Sequence, residues 1–561
     1  MPDPNHADQS EPSAVPWWRR AVMYQIYIRS FADGNGDGTG DLTGLRSRLD
    51  YLGDLGVDAV WINPWYPSPM ADGGYDVSDY RGIHPDFGDL AEADALVAAA
   101  HQRGIRVLID LVPNHTSVSH PWFQAAVAAG PGSAERDRYI FLDGKGDDGS
   151  EPPTNWVAVF GGSAWEQVDD RSRSARQWYL HLFDTSQPDL NWENDEVRQE
   201  FDDIFRFWLD RGIDGFRIDV AHSLTKDRNF PDTTDLDVNQ AQRHPDGSHP
   251  HWDRDDLHQI VRRWRRVVDG YDDRMMVAEA NVHASRLPLY LRPGEYHQAF
   301  NFDLLRAEWS AKDFAKIVFE AWSRTAGIGA ASTWVLSNHD VVRHSTRYGL
   351  PPGVEPRPWL LDGPHELLDA DAGARRGRAA TLIALALPGS TYIYQGDELG
   401  LPEVWDLPTA SLQDPSWERS NHTDKGRDGC RVPVPWTVDG PSFGFGSAGS
   451  WLPQPPSFGP LSVEAQDGDP TSTLSLYRTA LRLRRELFRT DENLVEVDLG
   501  PGVFSFGRGN GAVSITNMGT KAIPLPAGAD VALCSGELIE DDGRPLLPPD
   551  TGVWLRPPSA R

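Results

Sequence analysis

From Met23 onward, short β-branched, aromatic and aliphatic runs alternate with longer stretches in which apolar residues recur at helical spacing. This is the pattern of βα units laid on a parallel sheet. Eight candidate strands stand out, over 23–31, 57–63, 106–112, 215–220, 275–280, 299–303, 333–337 and 391–395. The clearest helical segment carries Val197, Phe201, Ile204, Phe205, Trp208 and Leu209 on one face, with Gly212 as its stop. No Gly-rich phosphate loop follows the first run, so a closed (β/α)8 barrel is favoured over an open doubly wound sheet.

With 561 residues the chain exceeds one ordinary domain. Residues 1–16 are polar, lack a basic start and an apolar run, and read as a disordered leader. The barrel is assigned to 17–112 and 185–490. Between them, 113–184 is too long for a plain connection and reads as a small inserted domain. The Pro- and Trp-rich stretch from about 401 to 460 is expected to cover the barrel mouth, ahead of a helix near 473–487. Short runs separated by Gly, Pro and Asn over 491–561 read as a C-terminal antiparallel β-sandwich.

Composition excludes some partners. Lys and Arg number 53 against 83 Asp and Glu, a formal charge of −30, which repels a phosphate backbone. No apolar run is long enough to span a membrane. With two cysteines, Cys430 and Cys534, no disulfide framework is expected, and a cytoplasmic location is the simpler reading. The 21 Trp and 15 Tyr suit a ligand with apolar C–H faces and hydroxyl edges, as sugars have, although most such rings belong to cores.

In a barrel of this kind, reactive groups stand at the C-terminal ends of the strands. There the sequence places Tyr75 and Asp76, Asn114 and His115, Arg217 and Asp219, Glu279, then His339 and Asp340. Alternation along a strand puts Arg217 and Asp219 on one side, Phe216 and Ile218 on the other. An Arg beside an Asp favours an ionised nucleophile, and Glu279, ending an apolar strand, is placed as a general acid. Three acids converging with two His and one Arg are costly as mere stability, so a catalytic role is the stronger reading. If two carboxyls flank a glycosidic bond at roughly 5–5.5 Å, the chemistry is double displacement with retention.

The strings DLVPNH from Asp110, GFRIDVAH from Gly215, VAEAN from Val277 and SNHD from Ser337 resemble, in order and spacing, the four signature segments of the α-amylase family, glycoside hydrolase family 13. QPDLNWEN from Gln187 and GRDGCRVPVPW from Gly426 resemble further segments of its oligo-1,6-glucosidase and α-glucosidase branch. The resemblance covers nearly the whole chain after Pro16. It implies Asp219 as nucleophile, Glu279 as acid/base and Asp340 as the carboxylate that grips sugar hydroxyls. It also implies a pocket for the terminal glucose lined by Asp76, His115, Arg217, His339 and Arg427, with Tyr75 and Phe160 as walls. Arg343 and Arg431 are weaker candidates, since an Arg is more often solvated. No cofactor is expected for catalysis. The run DGNGDGTGD offers Asp33, Asn35, Asp37, Thr39 and Asp41 as oxygen ligands for a structural Ca2+ or Mg2+, without the terminal bidentate Glu of an EF-hand.

The implied activity is exo-hydrolysis of short α-glucosides such as maltose and small maltooligosaccharides by a monomer or small homo-oligomer. Within the branch, Val220 after the nucleophile goes with α-1,6 cleavage, whereas Ala221 and His222 resemble actinobacterial enzymes favouring short α-1,4 substrates. Glucosyl transfer or isomerisation, as in trehalose synthase or sucrose isomerase relatives, uses the same constellation.

Overall fold

The computed structural model describes residues 15–168, 176–234, 244–488 and 492–557. The proposed leader therefore lies almost wholly outside the described residues.

The eight strands form one parallel sheet: Val22–Ile26, Ala59–Ile62, Arg106–Leu111, Gly215–Ile218, Met275–Ala278, Gln298–Ala299, Thr333–Val335 and Ser390–Tyr394. In sheet order they run seventh, eighth, first, second, third, fourth, fifth, sixth. A side chain links the two ends, because Thr333 Oγ1 donates to the Ala299 carbonyl at 2.7 Å and accepts the Asn301 N–H at 3.1 Å. The result is a nearly closed barrel.

Burial on both faces explains why the strands read as apolar runs. Met23, Ala59, Trp61, Leu108, Met275, Val277, Val335 and Tyr392 fill the interior. Their sequence neighbours Tyr24, Val60, Ile109, Met276 and Ala278 join the outer core beneath the helices. A Cβ at Gly215 would meet the Met275 carbonyl oxygen at 2.7 Å, so only glycine lets the fourth strand lie against the fifth here.

The helix Asp195–Asp210 buries the six apolar residues read from its sequence and is capped by Asn194, whose side chain accepts the Glu196 N–H. Two strand expectations are corrected. The first strand stops at Ile26 and turns into a 3-10 helix, Ile28–Ser30. The sixth stops at Ala299, because the Asn301 side chain accepts the Asp303 N–H and caps a helix, Phe302–Arg306.

After the third strand the chain forms the helix Pro121–Ala129 and a three-stranded antiparallel sheet of Phe141–Asp143, Gln177–Leu180 and Trp165–Gln167. At the C-terminal end a five-stranded and a three-stranded antiparallel sheet enclose Ile515, Leu525, Leu547, Val553 and Leu555. This unit docks on the helix Ala370–Ala386, where Trp554 Nε1 donates to the Leu382 carbonyl at 3.0 Å and Arg508 Nη1 to the Ala386 carbonyl at 2.6 Å.

Candidate active site

Strand register builds the site. Asp110 on the third strand pairs with Arg217 on the fourth, and Arg217 with Val277 on the fifth. The ladder continues past the strand ends through Asp219 N–H to the Leu111 carbonyl and Glu279 N–H to the Ile218 carbonyl, both at 2.9 Å. Asp110, Arg217, Asp219 and Glu279 thus stand side by side at one rim.

Arg217 is buried at the centre of these acids. Its Nη1 lies 2.7 Å from Asp110 Oδ1 and also donates to Asp219 Oδ1, while its Nη2 lies 2.8 Å from Glu279 Oε2. Asp219 and Glu279 thereby share one guanidinium. One guanidinium cannot neutralise three carboxylates, so at least one proton is retained among them. Burial raises Asp219 well above the usual carboxylate range; Arg217 pulls it down, and Glu279 and Asp110 push it up further. Asp110, fully buried, rises to about 7 for the same first reason, again opposed by Arg217. Arg217 pulls Asp219 down as the sequence suggests, but desolvation and two like charges outweigh it, so the acids share a proton, and Asp219 is free to attack when Glu279 holds it.

Asp340 has the opposite environment. Desolvation works against its charge, yet His339, Arg427 and Arg431 hold it below the ordinary range. Its Oδ1 accepts from Arg427 Nη1 at 3.2 Å and Arg431 Nη2 at 3.1 Å. Burial keeps His339 neutral. The Gln25 amide at 2.7 Å donates to its Nδ1, which places the ring hydrogen on Nε2, 2.7 Å from the Tyr75 hydroxyl oxygen and 3.2 Å from Asp340 Oδ2. Tyr75 stacks on His339 with ring centroids 5.4 Å apart and donates to Asp110 Oδ2 at 3.0 Å, tying the two carboxylate groups together.

Arg427 ties three acids together beside this cluster. Its Nη2 reaches Asp72 Oδ1 at 2.6 Å, its Nε donates to Asp414 Oδ2, and its guanidinium lies 5.5 Å from the Phe160 ring. Phe160 leads through Phe183 to His115, with centroid separations of 6.2 and 5.1 Å. His115 is neutral, lowered by burial to about 4. Its neighbour Asn114 belongs to a buried ammonium cage. Lys226 Nζ donates to Asn114 Oδ1 at 2.9 Å and to the Ser223 carbonyl oxygen at 2.5 Å, and lies 2.7 Å from Asp189 Oδ2. This internal cation joins the third-strand loop to the fourth.

Asp219, Glu279, Asp340, Arg217, His339, Tyr75, Arg427, Phe160 and His115 are thus brought into one contiguous region. Asp76 is not. Its oxygens accept from Ser68 Oγ, Asp72 N–H and Ala71 N–H at 2.8, 3.1 and 3.1 Å, so it shapes its own loop. Asp72 faces Arg427 in its place. Arg343 and Arg431, expected to be solvated, are buried. Arg431 binds Asp340; Arg343 donates to the Gln395 and Cys430 carbonyls, each at 2.9 Å. Asp110, Asp72, Asp414 and Lys226 had been given no role from sequence, although Asp110 opens the first signature string.

The loop Asp33–Asp41 lies apart. Asp33 accepts the Gly36 and Gly38 N–H groups at 2.6 and 2.9 Å, Asp37 the Thr39 N–H at 2.8 Å, and Asp41 the Gly34 and Asn35 N–H groups at 3.0 Å. Among the described residues no three His, Cys, Asp or Glu groups are arranged to hold a metal. The donors are hard oxygens suited to Ca2+ or Mg2+, but their carboxylates serve the turn itself.

A barrel whose rim pairs carboxyls around one buried guanidinium is the framework of a glycoside hydrolase. The family model "Alpha amylase, catalytic domain" matches residues 25–491, and the chain belongs to the α-amylase family. It is 40% identical over 486 residues to a "Probable alpha-glucosidase" of Rhizobium meliloti (strain 1021), covering 84% of this chain and 82% of that one. It is 34% identical over 546 residues to an "Oligo-1,6-glucosidase" of Parageobacillus thermoglucosidasius, covering 90% and 91%. Among solved structures, an alpha-glucosyl transfer enzyme superposes with a TM-score of 0.83 at 35% identity, covering 97% of this chain and 99% of that one.

Proposed function

We propose that this protein is a retaining, exo-acting α-glucosidase that releases glucose from the non-reducing end of maltose and small maltooligosaccharides. The observation that carries the reading is the pairing of Asp219 and Glu279 with the one guanidinium of Arg217. It draws the two carboxyls together, as the short separation of double displacement requires. Asp219 attacks the anomeric carbon while Glu279 protonates the departing oxygen; Glu279 then takes a proton from the water that releases glucose. Asp340, kept ionised by Arg427 and Arg431, accepts sugar hydroxyls and favours positive charge developing at the ring. Exo action is supported by the Asp72–Arg427–Asp340 chain of ion pairs, which crosses beside the three acids. Proton NMR of p-nitrophenyl α-glucoside hydrolysis tests this, with α-glucose as the first anomer released; β-glucose as the first anomer refutes retention.

A second reading, glucosyl transfer or isomerisation, is favoured by the alpha-glucosyl transfer enzyme among the structural relatives. The oligo-1,6-glucosidase relative supports α-1,6 cleavage. Product analysis on maltose, isomaltose, trehalose and sucrose separates these outcomes, since isomerised disaccharide without free glucose removes the hydrolase reading. We further propose a cytoplasmic monomer or small homo-oligomer. Its free Cys430 and Cys534 fit a reducing compartment, and no helix among the described residues is long and apolar enough to cross a membrane. A structural Ca2+ or Mg2+ at Asp33, Asn35, Asp37, Thr39 and Asp41 is proposed on donor chemistry alone.

A further inference from the structure

Val220, directly after the nucleophile, has φ of +43°. A β-branched residue occupies this left-handed region only under constraint. The constraint is visible on both sides of the residue. Asp219 N–H is held by the Leu111 carbonyl and Ala221 N–H by the Glu279 main-chain carbonyl, each at 2.9 Å. The Val220 side chain is buried in a cluster that includes Trp156, Trp165 and Trp252. The product of this geometry is a single contact, in which the Val220 N–H donates to Glu279 Oε2 at 3.0 Å. Arg217 Nη2 lies 2.8 Å from the same oxygen.

One N–H donor and a guanidinium nitrogen 2.8 Å away crowd the same carboxyl oxygen and disfavour a proton there. An oxygen that accepts an N–H and faces a cation is poorly placed to carry a hydrogen of its own, so a protonated Glu279 bears it on Oε1. The geometry points to the Val220 amide as a positioning group that confines the acid/base proton to Glu279 Oε1 and aims that oxygen at the leaving group. The inference rests on the α-glucosidase reading and adds to it which oxygen of the acid works and what holds it. In the first step the proton leaves Oε1 for the glycosidic oxygen as the C1–O bond breaks and Asp219 bonds to C1. The charge left on Glu279 falls on a carboxylate already held through Oε2 by the amide and the guanidinium. In the second step Oε1 takes the proton of the attacking water.

The experiment replaces residue 220 by α-hydroxyisovaleric acid through stop-codon suppression, which turns this one N–H into an ester oxygen and keeps the side chain. The kcat/KM for maltose, which needs the proton, is compared with that for 2,4-dinitrophenyl α-glucoside, which does not. The expected result is a fall of about tenfold or more for maltose with less than about twofold for the aryl glucoside. An ester at residue 221 removes a hydrogen bond to the main chain of the same Glu279 and is expected to move both substrates alike. Equal slowing of both substrates by the 220 ester overturns the proposal. Val220→Gly gives a test that needs no ester. Glycine keeps the N–H and admits positive φ without strain, so the ratio of the two substrates stays within about twofold of the parent. A ratio that shifts in Val220→Gly by as much as expected for the ester assigns the effect to the side chain and also overturns the proposal. If the parent protein cleaves neither glucoside, it is the α-glucosidase reading that fails.

Discussion

The fourth barrel strand has a buried aspartate at each end, and the two are treated oppositely. At its entry, Asp214 takes Arg274 and Arg106 on Oδ1 at 2.9 and 3.3 Å, and His101 and the Val107 N–H on Oδ2 at 2.6 and 2.9 Å. One carboxylate there is served by two guanidiniums. At its exit, a single guanidinium serves Asp110, Asp219 and Glu279. Cation excess fixes a charge and welds neighbouring strands. Acid excess leaves a cluster short of positive charge, which retains a proton and is ready to accept a cationic transition state. The same strand thus gives its lower aspartate to cohesion and, in the proposed mechanism, its upper one to chemistry.

The contrast breaks most visibly at Asp219. Asp219→Asn is expected to lower kcat by about 10^4-fold or more, because it abolishes the covalent route, while the melting temperature holds or rises as one like charge leaves the cluster. Near-normal turnover with a lowered melting temperature would make Asp219 another Asp214. Glu279→Gln should reduce kcat/KM for maltose by about 10^2- to 10^4-fold and affect an activated aryl glucoside far less; comparable losses on both would remove Glu279 from proton transfer. Asp214→Asn is the mirror experiment. It takes the carboxylate from Arg274 and leaves Arg106 with Asp273 alone, at 3.6 Å, and should cost about 3 kcal/mol in denaturant unfolding. Its kcat below the transition should match the parent, and a large kinetic loss there would erase the distinction between the two ends.

How far the two ends were legible in sequence follows from what is local. The barrel strands announce themselves through runs of apolar residues, and each of the eight candidate segments contains or overlaps a strand of the barrel. The end of the sixth was misjudged because the cap at Asn301 outweighs the apolar character of Phe302. Asp219, Glu279 and Asp340 could be singled out because strand ends are local features. Asp110 could not be given its role, since facing Arg217 depends on the register between two strands. Asp72 and Asp76 share one loop, and only the folded turn decides which carboxylate is consumed by Ser68 and which meets Arg427. The burial of Arg343 and Arg431 depends on segments distant in sequence, Gln395 and Cys430 for one, His339 and Asp340 for the other.

Asp110 sharpens the comparison at a smaller scale. Its charge raises Asp219, so Asp110→Asn should let the nucleophile ionise at lower pH and move the acid limb of the kcat/KM profile in the acid direction. The stability consequence has a definite sign. With a folded value of about 7 against an unfolded value of about 3.9, the folded state binds more protons between these limits, so this group makes stability fall as pH rises through that window. Asparagine removes that slope, and urea unfolding at pH 4.5 and 7 should show a smaller difference in the variant than in the parent. An acid limb that stays in place would mean that Arg217, not the count of acids, governs the proton.

The smallest effect concerns a third acidic region. Among the described residues Asp33, Asp37 and Asp41 form no ion pair, and backbone N–H groups are the donors to Asp33 and Asp41. A bound divalent cation would give this loop the positive charge that Arg274 and Arg106 give Asp214, and would leave the catalytic cluster untouched. Ca2+ added to chelator-treated protein at tenfold over its dissociation constant should then stabilise the fold by roughly 1.4 kcal/mol, with kcat unchanged. Melting curves that coincide in chelator and in millimolar Ca2+ or Mg2+ would show that the backbone amides alone satisfy the loop, making it a turn held by its own main chain.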